Sequence, residues 1–193
     1  MIKLAIFVSG TGTNAAKIID YFSQHKLVLV DLIVVNKPNA GVLSVAKTHH
    51  IDTWLIERSA FYETDCYLND LKTRGIDFLI LAGFLWKVPE YLVSAFPNKI
   101  VNIHPALLPK FGGKGMYGMK VHEAVVDAGE KETGITIHYV NEQYDEGAII
   151  FQSSCTVEPT DTPEIVAQKV HELEHRHFAE VLEGIVIGRQ SFS

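Results

Sequence analysis

Cysteine is nearly missing from this 193-residue chain, which holds only Cys66 and Cys155. The two lie far apart with no paired spacing, so neither a disulfide framework nor a thiolate metal site is indicated, and a reducing, cytoplasmic setting is expected. An excess of positive charge is missing too. There are 17 Lys and Arg against 23 Asp and Glu, a formal charge of −6 at pH 7. The basic residues are scattered, which argues against a nucleic-acid binder that relies on phosphate neutralisation. No apolar run is long enough to span a bilayer, so no membrane partner is expected. The opening "MIKLAIFVSG" passes straight into glycines instead of a small-residue cleavage site, and is expected to be a buried first strand. Repeats, low-complexity tracts and Pro/Ser-rich linkers are also lacking. Residues 1–193 are therefore expected to form a single domain, at a length that fills one core.

What is present is a series of apolar runs bounded by turn residues: "KLAIFVS", "VLVDLIVV", "DTWLI", "DFLILA", "KIVNI", "TGITIHYV" and "GAIIFQSSCTV". Helical spacing fills the gaps at 14–25, 41–49 and 60–74. Runs that are apolar on both faces and alternate with helices define an α/β fold, a doubly wound and mostly parallel sheet of Rossmann-like type. The last two runs have no helix between them and are joined by "NEQYDEG", so these late strands are expected to be antiparallel. A long C-terminal helix is predicted over 163–184, with Thr162 as N-cap and Pro163 at the first helical position.

The segment "VSGTGTNAAKIID" reads as strand, then Gly-x-Gly, then helix. A helix N-terminus with close-approach glycines suits an anion, and Thr11, Thr13 and Asn14 add side-chain donors. Residues 10–15 also fit the dinucleotide fingerprint G-x-G-x-x-G/A. That fingerprint needs an acid at the end of the second strand, where this chain has Asn36 and Lys37. No G-K-[ST] follows either, so a single phosphate is the better ligand. A turn that needs glycine for backbone geometry alone is the alternative.

In "VNIHPALLPKFGG", strand alternation points Asn102 and His104 the same way, and Pro105 holds His104 extended. Asp145, in the loop "QYDEGA", is placed by topology to reach the same edge. An amide, an imidazole and a carboxylate suit acyl-type transfer: donation to an oxyanion, proton exchange, and orientation of the ring. No G-x-S-x-G nucleophile pattern is present, so direct transfer between two bound substrates is preferred. The alternatives are a strand cap for Asn102 and His104 and a turn former for Asp145. His171 to His175 spell H-E-x-x-H, yet no third ligand is evident and no metal is expected.

Taken together, "FVSGTGTN", "LAGFLWKVP", "NIHPALLPKF" and the Asp145 loop resemble the phosphoribosylglycinamide formyltransferases of the folate-dependent formyltransferase family. The likeness runs in the right order over nearly the whole chain. It implies the formyltransferase fold, with 10-formyltetrahydrofolate as co-substrate, 5-phosphoribosylglycinamide as acceptor, and a place in purine biosynthesis. It further implies that Asn102, His104 and Asp145 are catalytic. Gly12, Thr13 and Asn14 would hold the ribose phosphate, and Glu174 would contact the ribonucleotide. Leu85, Trp86, Lys87 and Val88, with Asn141, Glu142, Gln143 and Tyr144, would flank the pterin. Two features differ from the family pattern. Thr64 stands where some members carry a folate-binding arginine. The segment after L-L-P, "KFGGKGMYGMKVHEAV", is longer and is expected to be a loop that folds over the bound ribonucleotide. The rivals are a formyltetrahydrofolate hydrolase, which adds an amino-terminal domain, and a non-catalytic phosphate- or nucleotide-binding module. Oligomeric state is not legible.

Overall fold

The structure, a computed structural model, describes residues 1–188. Its seven strands are β1 (Ile2–Val8), β2 (Val28–Val35), β3 (Asp52–Leu55), β4 (Phe78–Leu81), β5 (Ile100–His104), β6 (Glu132–Tyr139) and β7 (Ile149–Thr156). They form one sheet in the order β3-β2-β1-β4-β5-β6-β7. Pairing is parallel from β3 across to β5 and antiparallel for β5 with β6 and β6 with β7. Seven helices flank it: α1 (Thr13–Phe22), α2 (Val42–Thr48), α3 (Arg58–Glu63), α4 (Cys66–Arg74), α5 (Glu90–Ala95), α6 (Met119–Asp127) and α7 (Pro163–Val186). Among the described residues no helix is long and apolar enough to cross a membrane.

Strand alternation builds the two layers directly. In β1, Leu4, Ile6 and Val8 face one apolar cluster with Ile18 and Phe22 of α1 and Val170, Phe178 and Leu182 of α7. Ala5 and Phe7 face the other, with Phe61 of α3, Leu71 of α4 and Leu92 of α5. The same period splits β5: Val101 and Ile103 join the first cluster and Ile100 the second. Helix α7 starts where Thr162 accepts the Ile165 N–H at 3.4 Å, with Pro163 just inside, as expected.

Three local outcomes differ from the sequence expectations. The helix expected over 60–74 is two helices, because the Thr64 hydroxyl bonds the Ala60 carbonyl at 2.8 Å and accepts the Cys66 N–H at 3.4 Å. That side chain competes with the helix for its own backbone, and Thr64 is left extended at φ −134°. About half of the expected long loop after Pro109 is α6, anchored by fully buried Val121 and Val125. The short α5 also lies in a stretch where no helix was expected.

The chain leaves β1 for β2 on one side and β4 for β5 on the other, so the carboxyl ends of β1 and β4 mark the switch point where open α/β sheets take ligands. Beside it, the turn after β5 is pinned by one hydroxyl. Thr136 of β6, fully buried, donates to the Ala106 carbonyl at 2.7 Å and accepts from the Leu108 N–H at 3.0 Å and Gln152 Nε2 at 2.8 Å. Its one donor and two lone pairs are all used.

Thr136→Val keeps the shape and orphans the Ala106 carbonyl and the Leu108 N–H. It is expected to cost about 3 kcal/mol and lower Tm by roughly 6–12 °C in a thermal melt. A loss below about 1 kcal/mol would show that the turn is held by something else.

Candidate active site

A cavity of about 690 Å³ opens over the switch point, within the range of small-molecule sites. Its first end is the loop after β1. Gly12 has φ +79°, and a Cβ there would run into the side chain and Cα of Val42. Only glycine meets both demands. Helix α1 then begins at Thr13 with no side-chain cap and no acid in its first turn, so its leading N–H groups stay open to an anion.

Behind that loop, Glu174 of α7 is only 5% exposed. Its Oε2 accepts Asn14 Nδ2–H at 2.9 Å and His171 Nδ1–H at 2.7 Å, tying α1 to α7. Asn14 thereby gives one of its two amide N–H groups to Glu174, and its backbone N–H is one of the open leading groups of α1. The hydrogen bond to Glu174 pushes the His171 pKa up. His171 also stacks on His175 at 5.7 Å. The H-E-x-x-H spelling thus resolves into a histidine–carboxylate pair at a cavity wall. Among the described residues no group of three or more His, Cys, Asp or Glu is arranged to hold a metal.

At the centre lie the three residues of the sequence-level trio. Antiparallel pairing sets His138 of β6 opposite Asn102 and Thr136 opposite His104. His138 Nδ1 is 2.8 Å from the Tyr139 carbonyl, which can only accept, so Nδ1 carries the proton. Its Nε2 then accepts Asn102 Nδ2–H at 3.0 Å. Burial pushes the His138 pKa down, in keeping with this neutral tautomer. His104, 4% exposed, donates Nε2–H to the Phe111 carbonyl at 2.8 Å and turns Nδ1 toward Asp145 Oδ2 at 3.6 Å. Asp145 Oδ1 lies 3.7 Å from His138 Nε2. The carboxylate is fixed by the Gly113 N–H at 2.9 Å. Asp145 and Phe111 sit at φ +56° and +55°, a left-handed conformation held by the surrounding bonds. Close approach matters here as well, since a Cβ on Gly112 would meet Leu108 and Asp145.

The opposite end is walled by residues 85–88 and by the β6–β7 loop. Leu85, Trp86, Lys87 and Val88 all border the cavity, as do Asn141, Gln143 and Tyr144. Glu142 is exposed and does not border it. Ser9 Oγ, from the β1 loop, holds the Leu85 N–H at 2.9 Å. Lys87 Nζ lies 5.5 Å over the Tyr144 ring and joins the two segments. Thr64 ends α3, and the cation beside this wall is Arg58, 5.5 Å over the rings of Trp86 and Tyr62. The segment Gly113 to Met119, expected to be a loop over the site, lines the cavity. His138 and His122 are cavity residues that sequence reasoning missed. The first was legible in the period-2 pattern of "GITIHYV" once paired with β5; the second was hidden because α6 passed for loop.

Residues 2–182 match the profile of the formyl transferase family, and the chain belongs to that family. Relatives to which this chain is similar include phosphoribosylglycinamide formyltransferases. The chloroplastic one of Arabidopsis thaliana is 43% identical over 189 residues, covering 95% of this chain. This chain spans 65% of that plant protein's length. The Bacillus subtilis (strain 168) enzyme is 32% identical, with 96% of this chain and 95% of the relative covered. The crystal structure of the one from Bacillus halodurans superposes with a TM-score of 0.85 at 36% identity, covering 95% of this chain and 94% of that one.

The histidines should separate by NMR titration of their ring protons. Burial lowers the pKa of His122 and His138, so they are expected to titrate below the usual value of about 6.5, and His171 above it. Native His122 and His138 resist the protons that the unfolded chain accepts, so stability should fall as pH drops below that value. A His171 that titrates below His122 would contradict the Glu174 pairing.

Proposed function

We propose that this protein transfers the formyl group of 10-formyltetrahydrofolate directly to the amine of 5-phosphoribosylglycinamide, in purine biosynthesis. One observation carries the reading. A single cavity has an uncapped, glycine-lined helix N-terminus at one end, a wall holding Leu85, Trp86, Val88 and Tyr144 at the other, and Asn102, His104 and Asp145 between them. The phosphate of the ribonucleotide fits the N–H groups that follow Gly12, including those of Thr13 and Asn14, and Glu174 suits its ribose hydroxyls. The pterin fits residues 85–88 with Asn141, Gln143 and Tyr144, where the rings of Trp86 and Tyr144 suit a flat heterocycle.

The chemistry follows from that placement. The neutral amine attacks the formyl carbon, and a C–N bond forms as negative charge gathers on the formyl oxygen. In this scheme that oxygen comes beside Asn102 and His104, on one face of β5, and takes a hydrogen bond from the amide N–H of Asn102 that is not given to His138. The amine must then lose a proton and N10 of the folate must gain one as its bond to the formyl carbon breaks. The His104–Asp145 pair can hold that proton between the two events. No cysteine or serine lines the cavity among the described residues, which supports direct transfer over a covalent formyl-enzyme.

The test is release of tetrahydrofolate from 10-formyltetrahydrofolate, followed spectrophotometrically with and without the ribonucleotide. Turnover is expected only with it, and His104→Ala and Asp145→Asn are each expected to lower kcat by about 10²–10⁴-fold. Turnover without the ribonucleotide would make the protein a hydrolase. Binding of the ribonucleotide without turnover would make it a binding module.

A further inference from the structure

His122 has no part in the scheme above, yet it is built into the wall of the same cavity. It projects from α6 and is only 6% exposed, and its Nδ1 is buried with no hydrogen-bond partner. A buried polar atom without a partner weakens the fold, and such atoms are uncommon in native proteins. At a cavity wall, a ligand can supply the missing partner. We propose that His122 positions the acceptor substrate, hydrogen-bonding the amide of the arm that links the ribose to the reacting amine.

Three observations select that group, given the function proposed above. His122 lines the same cavity as Glu174 and His171 on α7 and His104 on β5, and lies near enough to feel the charge of each. The arm of 5-phosphoribosylglycinamide must run between Glu174 and His104, from ribose to formyl carbon. Burial also favours the uncharged ring, which offers one N–H donor and one lone-pair acceptor. That pair of functions matches an amide, with its own N–H and C=O. A phosphate calls for charge and for several donors, and these lie at the N-terminus of α1 instead.

The experiment is calorimetric titration of 5-phosphoribosylglycinamide into wild type, His122→Leu and His122→Asn, with a thermal melt and a tetrahydrofolate titration for each. Leucine fills the space and removes the orphaned nitrogen; asparagine keeps a polar atom near the place of Nδ1. The expected result is ribonucleotide binding weakened about tenfold by leucine and less than about threefold by asparagine. Tetrahydrofolate affinity should be unchanged, and the leucine variant should melt no lower than wild type. That last readout separates substrate positioning from a structural role, which would lower Tm. Leucine binding as tightly as wild type, or asparagine binding as weakly as leucine, would overturn the assignment and leave the proposed function standing. Wild type that fails to bind the ribonucleotide would overturn both. Should leucine prevent folding, His122→Ala takes its place in the same comparison.

Discussion

The antiparallel pairing of β5 with β6 is the constraint on which the site depends. After α6 the chain returns as β6, antiparallel beside β5, and brings its polar residues into register. Asn102 therefore meets His138, and His104 meets Thr136. Thr136 fixes the turn after β5, His138 fixes the amide of Asn102, and the loop that follows β6 carries Asp145 to within 3.6 Å of His104. A one-residue slip in this ladder would turn all of these groups into the opposite layer. The apolar partners Val101 and Ile103, packed in the main cluster, guard against that slip.

Two carboxylates, half-buried Asp145 and buried Glu174, organise the rest. Asp145 is held by a backbone N–H in a left-handed turn and faces two imidazoles. Glu174 is held by Asn14 and His171, so α1 and the long α7 behind it are tied together. Buried charge is tolerated when it is hydrogen-bonded, and both carboxylates satisfy that condition. The result is a rigid frame around a cavity whose remaining wall, Gly113 to Met119, is rich in glycine.

Much of this was legible in the sequence because it follows from period and spacing. The alternation in "KLAIFVS" and the turn residues around each apolar run define a doubly wound sheet. The Gly-x-Gly before α1 and the "NIHP" strand end mark the two places where chemistry gathers. What was not legible depends on which groups meet in the folded chain. Thr64 splits a helix because its hydroxyl has the Ala60 carbonyl within reach, which composition does not reveal. The glycines before α6 mask a helix whose valines find their core only in three dimensions. His138 acquires meaning from the register with Asn102, and Glu174 from a hydrogen bond to a residue 160 positions away.

In the proposed reaction two substrates meet in one cavity and the formyl group passes between them without stopping on the protein. Initial velocities measured over a grid of both substrate concentrations decide whether it does. Direct transfer gives intersecting double-reciprocal lines, the mark of a ternary complex. Parallel lines, accompanied by a formyl group on the protein in intact-mass spectra, would contradict it.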